Sequence, residues 1–233
     1  MGKNILKRYL SKRSTVELLS SKLHETERVS RAATGSKSEY FQDLWVIATL
    51  NQKIDGFFVE FGATDGISGS NTWLLETKYN WKGILAEPAR GYQEDLTRTR
   101  NCKIDFRVIW SESGKKIGFS EKEEGYLSAV STTLQKVAVH DEYEVETVSL
   151  NDLLLQHGAP NNIDYVSIDV EGSELLILKE FFKHKTFDVN LFSIEHNWRK
   201  DKDELIKLMQ SNGYKIENPN LSYRDLYFSK VNF

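Results

Sequence analysis

Four short apolar runs in this chain each stop at a carboxylate or a glycine turn, and that repetition leaves few architectures open. Gly56-Phe57-Phe58-Val59-Glu60-Phe61 stops at Gly62, and Gly83-Ile84-Leu85-Ala86 at Glu87-Pro88. Tyr165-Val166-Ser167-Ile168 stops at Asp169, and Asn190-Leu191-Phe192-Ser193-Ile194 at Glu195. Such runs, nearly unbroken by polar residues, suit strands buried on both faces, as in parallel sheets. Helical spacing fills the intervals. Glu39 to Asn51 offers Phe41, Leu44, Trp45, Ile47, Ala48 and Leu50 to a core, and further helices are expected over 71–79, 89–100, 151–156, 173–182 and 201–211, the last capped by Gly213. A strand over Ile104 to Ile109, another from Thr147 to Leu150, and two final strands near 214–217 and 225–230 complete the pattern. The expected fold is α/β, a mostly parallel sheet with right-handed crossovers and a closing C-terminal antiparallel strand pair.

Composition narrows the class. Thirty-one basic against thirty-four acidic residues leave a charge of −3, too balanced to announce a nucleic-acid binder. One cysteine, Cys102, excludes an intramolecular disulfide framework and a cysteine-rich zinc site. No apolar run approaches the roughly 18 residues of a membrane span, and no secretory h-region follows the first basic residues, so a cytoplasmic protein is expected. Residues 1–31 hold eight basic and three acidic side chains, which leaves −8 on the remainder. Two units are expected: a basic N-terminal helical extension and linker over 1–38, and a catalytic domain over 39–233 with a polar, acidic insertion at 111–146. Within 1–13, Ile5, Leu6, Tyr9 and Leu10 share a helical face among basic residues, which allows contact with an anionic membrane surface or simply a solvated helix.

In open parallel sheets, ligands bind beyond the carboxyl ends of the strands. Here those ends carry Glu60-Phe61-Gly62-Ala63-Thr64-Asp65-Gly66, Glu87, Asp169 with Glu171-Gly172, and Glu195-His196-Asn197. Gly62 and Gly66 let the backbone turn sharply beside a ligand, and Glu87, one strand on, is placed to accept both hydroxyl hydrogens of a ribose. The middle glycine of G-x-G-x-x-G, which makes room for a pyrophosphate, is missing, and this argues against a nicotinamide-dependent oxidoreductase. Gly114-Lys115-Lys116 lacks the Walker spacing and hydroxyl of a P-loop. An adenosine cofactor without pyrophosphate fits, and S-adenosylmethionine is the obvious member.

From Glu39 to Phe228 the chain resembles the FkbM family of S-adenosylmethionine-dependent methyltransferases. The resemblance is carried by Phe58-Val59-Glu60-Phe61-Gly62-Ala63-Thr64-Asp65-Gly66, Ser70-Asn71-Thr72 with Leu75-Glu76, Trp81-Lys82-Gly83-Ile84-Leu85-Ala86-Glu87-Pro88, the stretch from Ile163 to Glu174, Ile194-Glu195-His196-Asn197 and Gly213-Tyr214. It implies a class I methyltransferase (Rossmann-like) doubly wound fold and O-methylation of a sugar or natural-product hydroxyl. A non-catalytic module that kept the fold is the competing reading. Neither the basic N-terminus nor the 111–146 stretch belongs to the resemblance.

On that footing the cofactor would be held by Glu60, Gly62, Ala63, Asp65, Gly66, Asn71, Thr72, Glu87, Pro88, Trp110 and Ser111. Asp65 would take the methionine amino group, and Asn71 and Thr72 its carboxylate, unless those two merely cap a helix. Trp110 and Ser111 would flank adenine, or Trp110 is a packing aromatic. On the acceptor side stand Asp169, Glu171, Glu195 and His196. A hydroxyl must lose its proton to attack a sulfonium methyl, and a neutral imidazole suits that task, so His196 is either the general base or a residue orienting Glu195 or Asn197. Asp169, Glu195 and Asn197 would alternatively hold magnesium or manganese, or the carboxylates bind sugar hydroxyls directly. Glu174 falls in the first turn of a helix, where an acid favours the dipole.

Overall fold

The computed structural model describes residues 34–121, 129–130, 141–184, 186–217 and 224–231. The readings made for residues 1–31, including the basic helix over 1–13, and for part of the 111–146 insertion lie outside them. In chain order the elements are α1 (Gln42–Thr49), β1 (Phe57–Phe61), α2 (Trp73–Tyr79), β2 (Lys82–Ala86), a 3-10 turn (Arg90–Tyr92), α3 (Gln93–Thr99), β3 (Lys103–Asp105), β4 (Val108–Trp110), β5 (Lys116–Glu121), β6 (Ala129–Val130) and β7 (Asp141–Ser149). There follow α4 (Leu150–Gln156), β8 (Asn162–Ile168), α5 (Glu174–His184), β9 (Asp188–Glu195), α6 (Lys202–Ser211), β10 (Tyr214–Glu217) and β11 (Asp225–Lys230).

Seven strands form the main sheet in the order β10-β11-β9-β8-β1-β2-β3. β1 pairs in parallel with both β2 and β8, while β11 runs antiparallel to β9 and β10. This is the expected class I methyltransferase arrangement with its antiparallel closing pair. Strand periodicity explains the two layers. Phe58, Leu85, Tyr165 and Leu191 share a core with Val46 of α1, Leu75 of α2 and Leu96 of α3. Val59, Phe61, Ile84, Val166 and Ile168 pack with Leu153 and Leu154 of α4, Ile177 and Phe181 of α5, and Met209 of α6. Among the described residues, no helix is long and apolar enough to cross a membrane.

Two sequence expectations change. The strand expected over 104–109 is two strands. Its first part, β3, joins β2, but Asp105 then takes the Arg107 backbone amide and guanidinium and turns the chain, and Val108 pairs with Thr147 instead. A second sheet results, ordered β4-β7-β5-β6, with β7 antiparallel to β5. Within the insertion, residues 116–121 and 141–146 are therefore paired as sheet. The expected linker is also packed: Ser36 and Ser38 are buried, Ser38 bridges to Gly69, and its hydroxyl donates to Asn71 Oδ1 at 2.6 Å.

Candidate functional site

Strand order reverses between β1 and β8, and there the crevice opens. Phe61 and Ile168 are partners in register, so Gly62 and Asp169 leave the sheet side by side. Gly62 sits at φ 74°, and a Cβ on it would meet the Asp169 carbonyl oxygen at 2.2 Å. Only glycine allows both the left-handed turn and the close approach. The cleft beyond opens to solvent over a cavity of about 50 Å³. Phe61 and Gly62 form one wall, Ala86, Glu87 and Pro88 the next, and Asp169, Val170 and Ser173 the side toward β8. Val108, Ile109 and Phe119 of the second sheet, with Arg107, close it.

Glu87 is buried, yet both carboxylate oxygens have partners: Oε2 accepts the Thr64 amide at 2.9 Å and Oε1 the Ala89 amide at 2.8 Å. Burial raises its pKa to about 7 despite those two amides, and the Glu121 charge adds to the rise. A carboxylate offers about four lone-pair sites, so acceptor capacity remains toward the cleft.

Other expected cofactor residues stand back from the cleft wall. Glu60, Asn71 and Thr72 form a buried network: Glu60 accepts the Asn71 amide at 2.6 Å and the Ser70 and Thr72 hydroxyls. Asn71 Nδ2 donates to Ser167 Oγ at 2.9 Å. Arg100, which the sequence analysis did not single out, binds Gly66 O, Ser70 Oγ and Thr72 Oγ1 and pairs with Glu76. These groups knit the 66–72 loop to β1, β8 and α3. Asp65 braces the same loop, accepting the amides of Ile67 and Ser68 and the Ser68 hydroxyl, bonds that outweigh burial and lower its pKa. Ala63 and Gly66 are buried beneath the turn. Trp110 and Ser111 do not line the cleft, because Val108 and Ile109, earlier on β4, face it instead.

Across the switch point three acidic side chains come together. One carboxylate oxygen each from Asp169, Glu171 and Glu195 lies within 4.8 Å of the others. Burial, then the neighbouring carboxylate charges, push the pKa values of Asp169 and Glu195 up. Such a pair titrates together and retains a proton near neutrality. Arg199 is the counter-ion that sequence reasoning missed, at 2.7 Å from Glu174, 3.4 Å from Glu171 and 3.7 Å from Glu195. Glu174 is buried, its other oxygen accepting the Gly172 amide at 3.0 Å, so its role is to brace the 170–172 turn. Asn197 Nδ2 lies 3.5 Å from Glu171 Oε2 as a donor, and Glu171 stands with Asp169 and Glu195 in the carboxylate cluster.

His196 is buried, and its Nδ1 accepts the Trp198 amide at 3.0 Å. A neutral ring that accepts at Nδ1 carries its proton on Nε2. Burial, with the charges of Lys202 and Arg199, pushes its pKa down to about 4. The ring is thus neutral at pH 7 with low proton affinity, which favours the orienting reading over the base reading. Both turns of the rim are left-handed at non-glycine positions: Glu171 at φ 57°, Asn197 at 42° and Trp198 at 53°. Conformations of that kind persist where surrounding contacts enforce them.

A family model described as the methyltransferase FkbM domain matches residues 60–216. No curated protein gives a significant match. Among solved structures, the chain is similar to a precorrin-6y C5,15-methyltransferase from Geobacter metallireducens GS-15, with 9% identity, a TM-score of 0.45, and coverage of 80% of this chain and 84% of that one. It is similar also to a methyltransferase from Pyrococcus furiosus, at 12% identity, TM-score 0.43, and coverage of 91% and 98%. A third is the N-terminal domain of human METTL16 in complex with SAH, at 12% identity, TM-score 0.41, and coverage of 81% and 68%. At these identities and scores the likeness says nothing about the acceptor.

Proposed function

The chain belongs to the FkbM methyltransferase domain family, and from that premise we propose that it moves the methyl group of S-adenosylmethionine to a hydroxyl of a sugar in a glycan, polysaccharide or glycosylated natural product. The observation that supports this most is the junction of Gly62 and Asp169, where a cleft bounded by Glu87 meets three carboxylates. The residues fit the donor: Glu87 faces the cleft with acceptor capacity left for a ribose. When bound, S-adenosylmethionine supplies an electrophilic methyl on a sulfonium.

The rim then does the work of the acceptor side. The Asp169–Glu195 pair takes the hydroxyl proton as the oxygen–carbon bond forms and the carbon–sulfur bond breaks. A pair already pushed up in pKa holds that proton more readily than an ordinary carboxylate. Arg199 limits the repulsion among Glu171, Glu174 and Glu195, and His196 positions the 196–198 turn. A second reading has one observation in its favour: the 4.8 Å cluster of Asp169, Glu171 and Glu195 also suits a hard divalent cation such as magnesium or manganese.

Calorimetry with S-adenosylmethionine and with nicotinamide cofactors, followed by mass spectrometry of a panel of sugars incubated with isotopically labelled donor, tests the proposal. Donor binding and a labelled O-methyl sugar are expected. Donor binding with no methylated product on any carbohydrate would overturn the sugar reading and favour a non-catalytic module.

A further inference from the structure

We propose that Trp198 is the stacking platform on which the acceptor's sugar ring lies, with the rim carboxylates holding its hydroxyls; this rests on the acceptor reading given above. Trp198 is 58% exposed, and among the described residues it is the only exposed tryptophan. One exposed aromatic is ordinary by itself. Its placement is not. It follows Glu195, His196 and Asn197 directly, so the backbone that forms the rim also carries the indole. Its amide is fixed to His196 Nδ1, the Arg199 amide donates to His196 O at 2.7 Å, and the Arg224 guanidinium lies 5.7 Å from the ring centroid. The indole therefore stands on a pinned left-handed turn rather than on a loose loop.

A pyranose has a face of C–H groups and an edge of hydroxyls. It is recognised by one flat aromatic surface and several planar polar groups beside it. Trp198 offers the first, while Glu171, Glu195, Asp169 and Asn197 offer the second. A nucleic acid would stack as well, and Arg199 at the rim and Arg224 beside the ring would tolerate its phosphates, so the test includes one. A lipid or apolar peptide would need a continuous apolar patch. The other exposed large apolar residues, such as Ile54, Leu155 and Leu176, belong to other elements of the fold. A neutral or cationic sugar is the ligand class that satisfies both halves.

The test uses the full chain, a panel of methyl glycopyranosides, and labelled S-adenosylmethionine. The Trp198 indole N–H resonance, identified by its loss in Trp198→Phe, should shift on addition of an accepted glycoside. Trp198→Ala should raise the KM for that glycoside roughly tenfold, about 1.4 kcal/mol of binding. Donor affinity and circular dichroism should stay at parental values, and Trp198→Phe should recover most of the loss. Methyl transfer with an unchanged KM in Trp198→Ala would overturn the platform while leaving the sugar reading intact. A Trp198 shift produced by a short oligoribonucleotide and by no glycoside would assign the platform to nucleic acid and overturn the proposal. No transfer and no shift with any glycoside would overturn the platform and the sugar reading together.

Discussion

Replacing Gly62 by alanine separates two costs that this glycine avoids. The first is the left-handed backbone at φ 74°, which costs an L-residue roughly 1–2 kcal/mol. The second is the new Cβ, 2.2 Å from the Asp169 carbonyl oxygen, roughly 1 Å short of an ordinary C···O contact. Relieving it requires β1 and β8 to part at their ends, an overpacking cost of about 1–3 kcal/mol. Gly69 supplies the control, since it has the same φ of 74° but nothing within 4 Å of its Cβ position. Gly69→Ala should therefore lose about 1–2 kcal/mol and Gly62→Ala about 2–5 kcal/mol in urea unfolding followed by circular dichroism. The displaced group is the backbone of Asp169, so the acceptor rim moves with it. A shift of about 1 Å at a reacting group costs roughly 100-fold in rate. Turnover should fall by that order in Gly62→Ala and little in Gly69→Ala. Equal destabilisation of the two variants, within about 0.5 kcal/mol, would show that the strand ends yield freely and that Gly62 serves only the turn.

Three further outcomes are expected. Glu87→Gln should weaken S-adenosylmethionine binding by about 1.5–3 kcal/mol in calorimetry, the scale of a hydrogen bond to a charged group. The same variant tests linkage: a folded pKa near 7 lies above the ordinary glutamate value of 4.5, so the unfolded chain releases this proton first, and the parent should lose stability relative to Glu87→Gln as pH rises from about 4.5 to 7. Because the pKa values of Asp169 and Glu195 are both raised, turnover should climb with pH through neutrality, and Glu195→Gln should remove that limb and cut turnover roughly 100- to 10,000-fold. EDTA should leave activity unchanged if the carboxylate pair is the base; loss of activity that magnesium or manganese restores would favour the cation reading.

Much of the main sheet was legible because its strands are buried on both faces, so apolar runs stand out with little competing pattern. The closing strands at 214–217 and 225–230 match their expected bounds. The break between β3 and β4 was not legible. Ile104, Phe106 and Val108 continue an alternation through it, and the bonds that turn the chain there include one to His157, a residue 52 positions away. Local pattern cannot report such a partner. The ends of α1 were also overrun: the helix expected from Glu39 to Asn51 is confined to Gln42–Thr49 by left-handed residues at Phe41, Asn51 and Gln52.

At the site, what decides the roles of Glu60, Glu87 and Asp169 is whether each lies within the sheet or one step past its strand's last paired residue. Glu60 precedes Phe61, which still pairs with Ile168, so its side chain stands perpendicular to the sheet and enters the layer beneath α2 and α3, where Arg100 and the 70–72 loop enclose it. Glu87 and Asp169 follow the final pairs of β2 and β8 and clear the edge of the sheet. Glu195 lies one residue past Ile194, the last β9 residue paired with β8, while it still pairs with Asp225 of β11. That rule can be applied to sequence once strand ends are known, and it separates Glu60 from Glu87 and Asp169. Arg199 escapes it, because the guanidinium returns to the rim through a turn that holds Asn197 and Trp198 left-handed. Neither residue type announces that conformation. A chain that stopped β9 in an ordinary turn would present the same carboxylates without their counter-ion, and three acids within 4.8 Å would then hold further protons near neutrality and accept none from a hydroxyl.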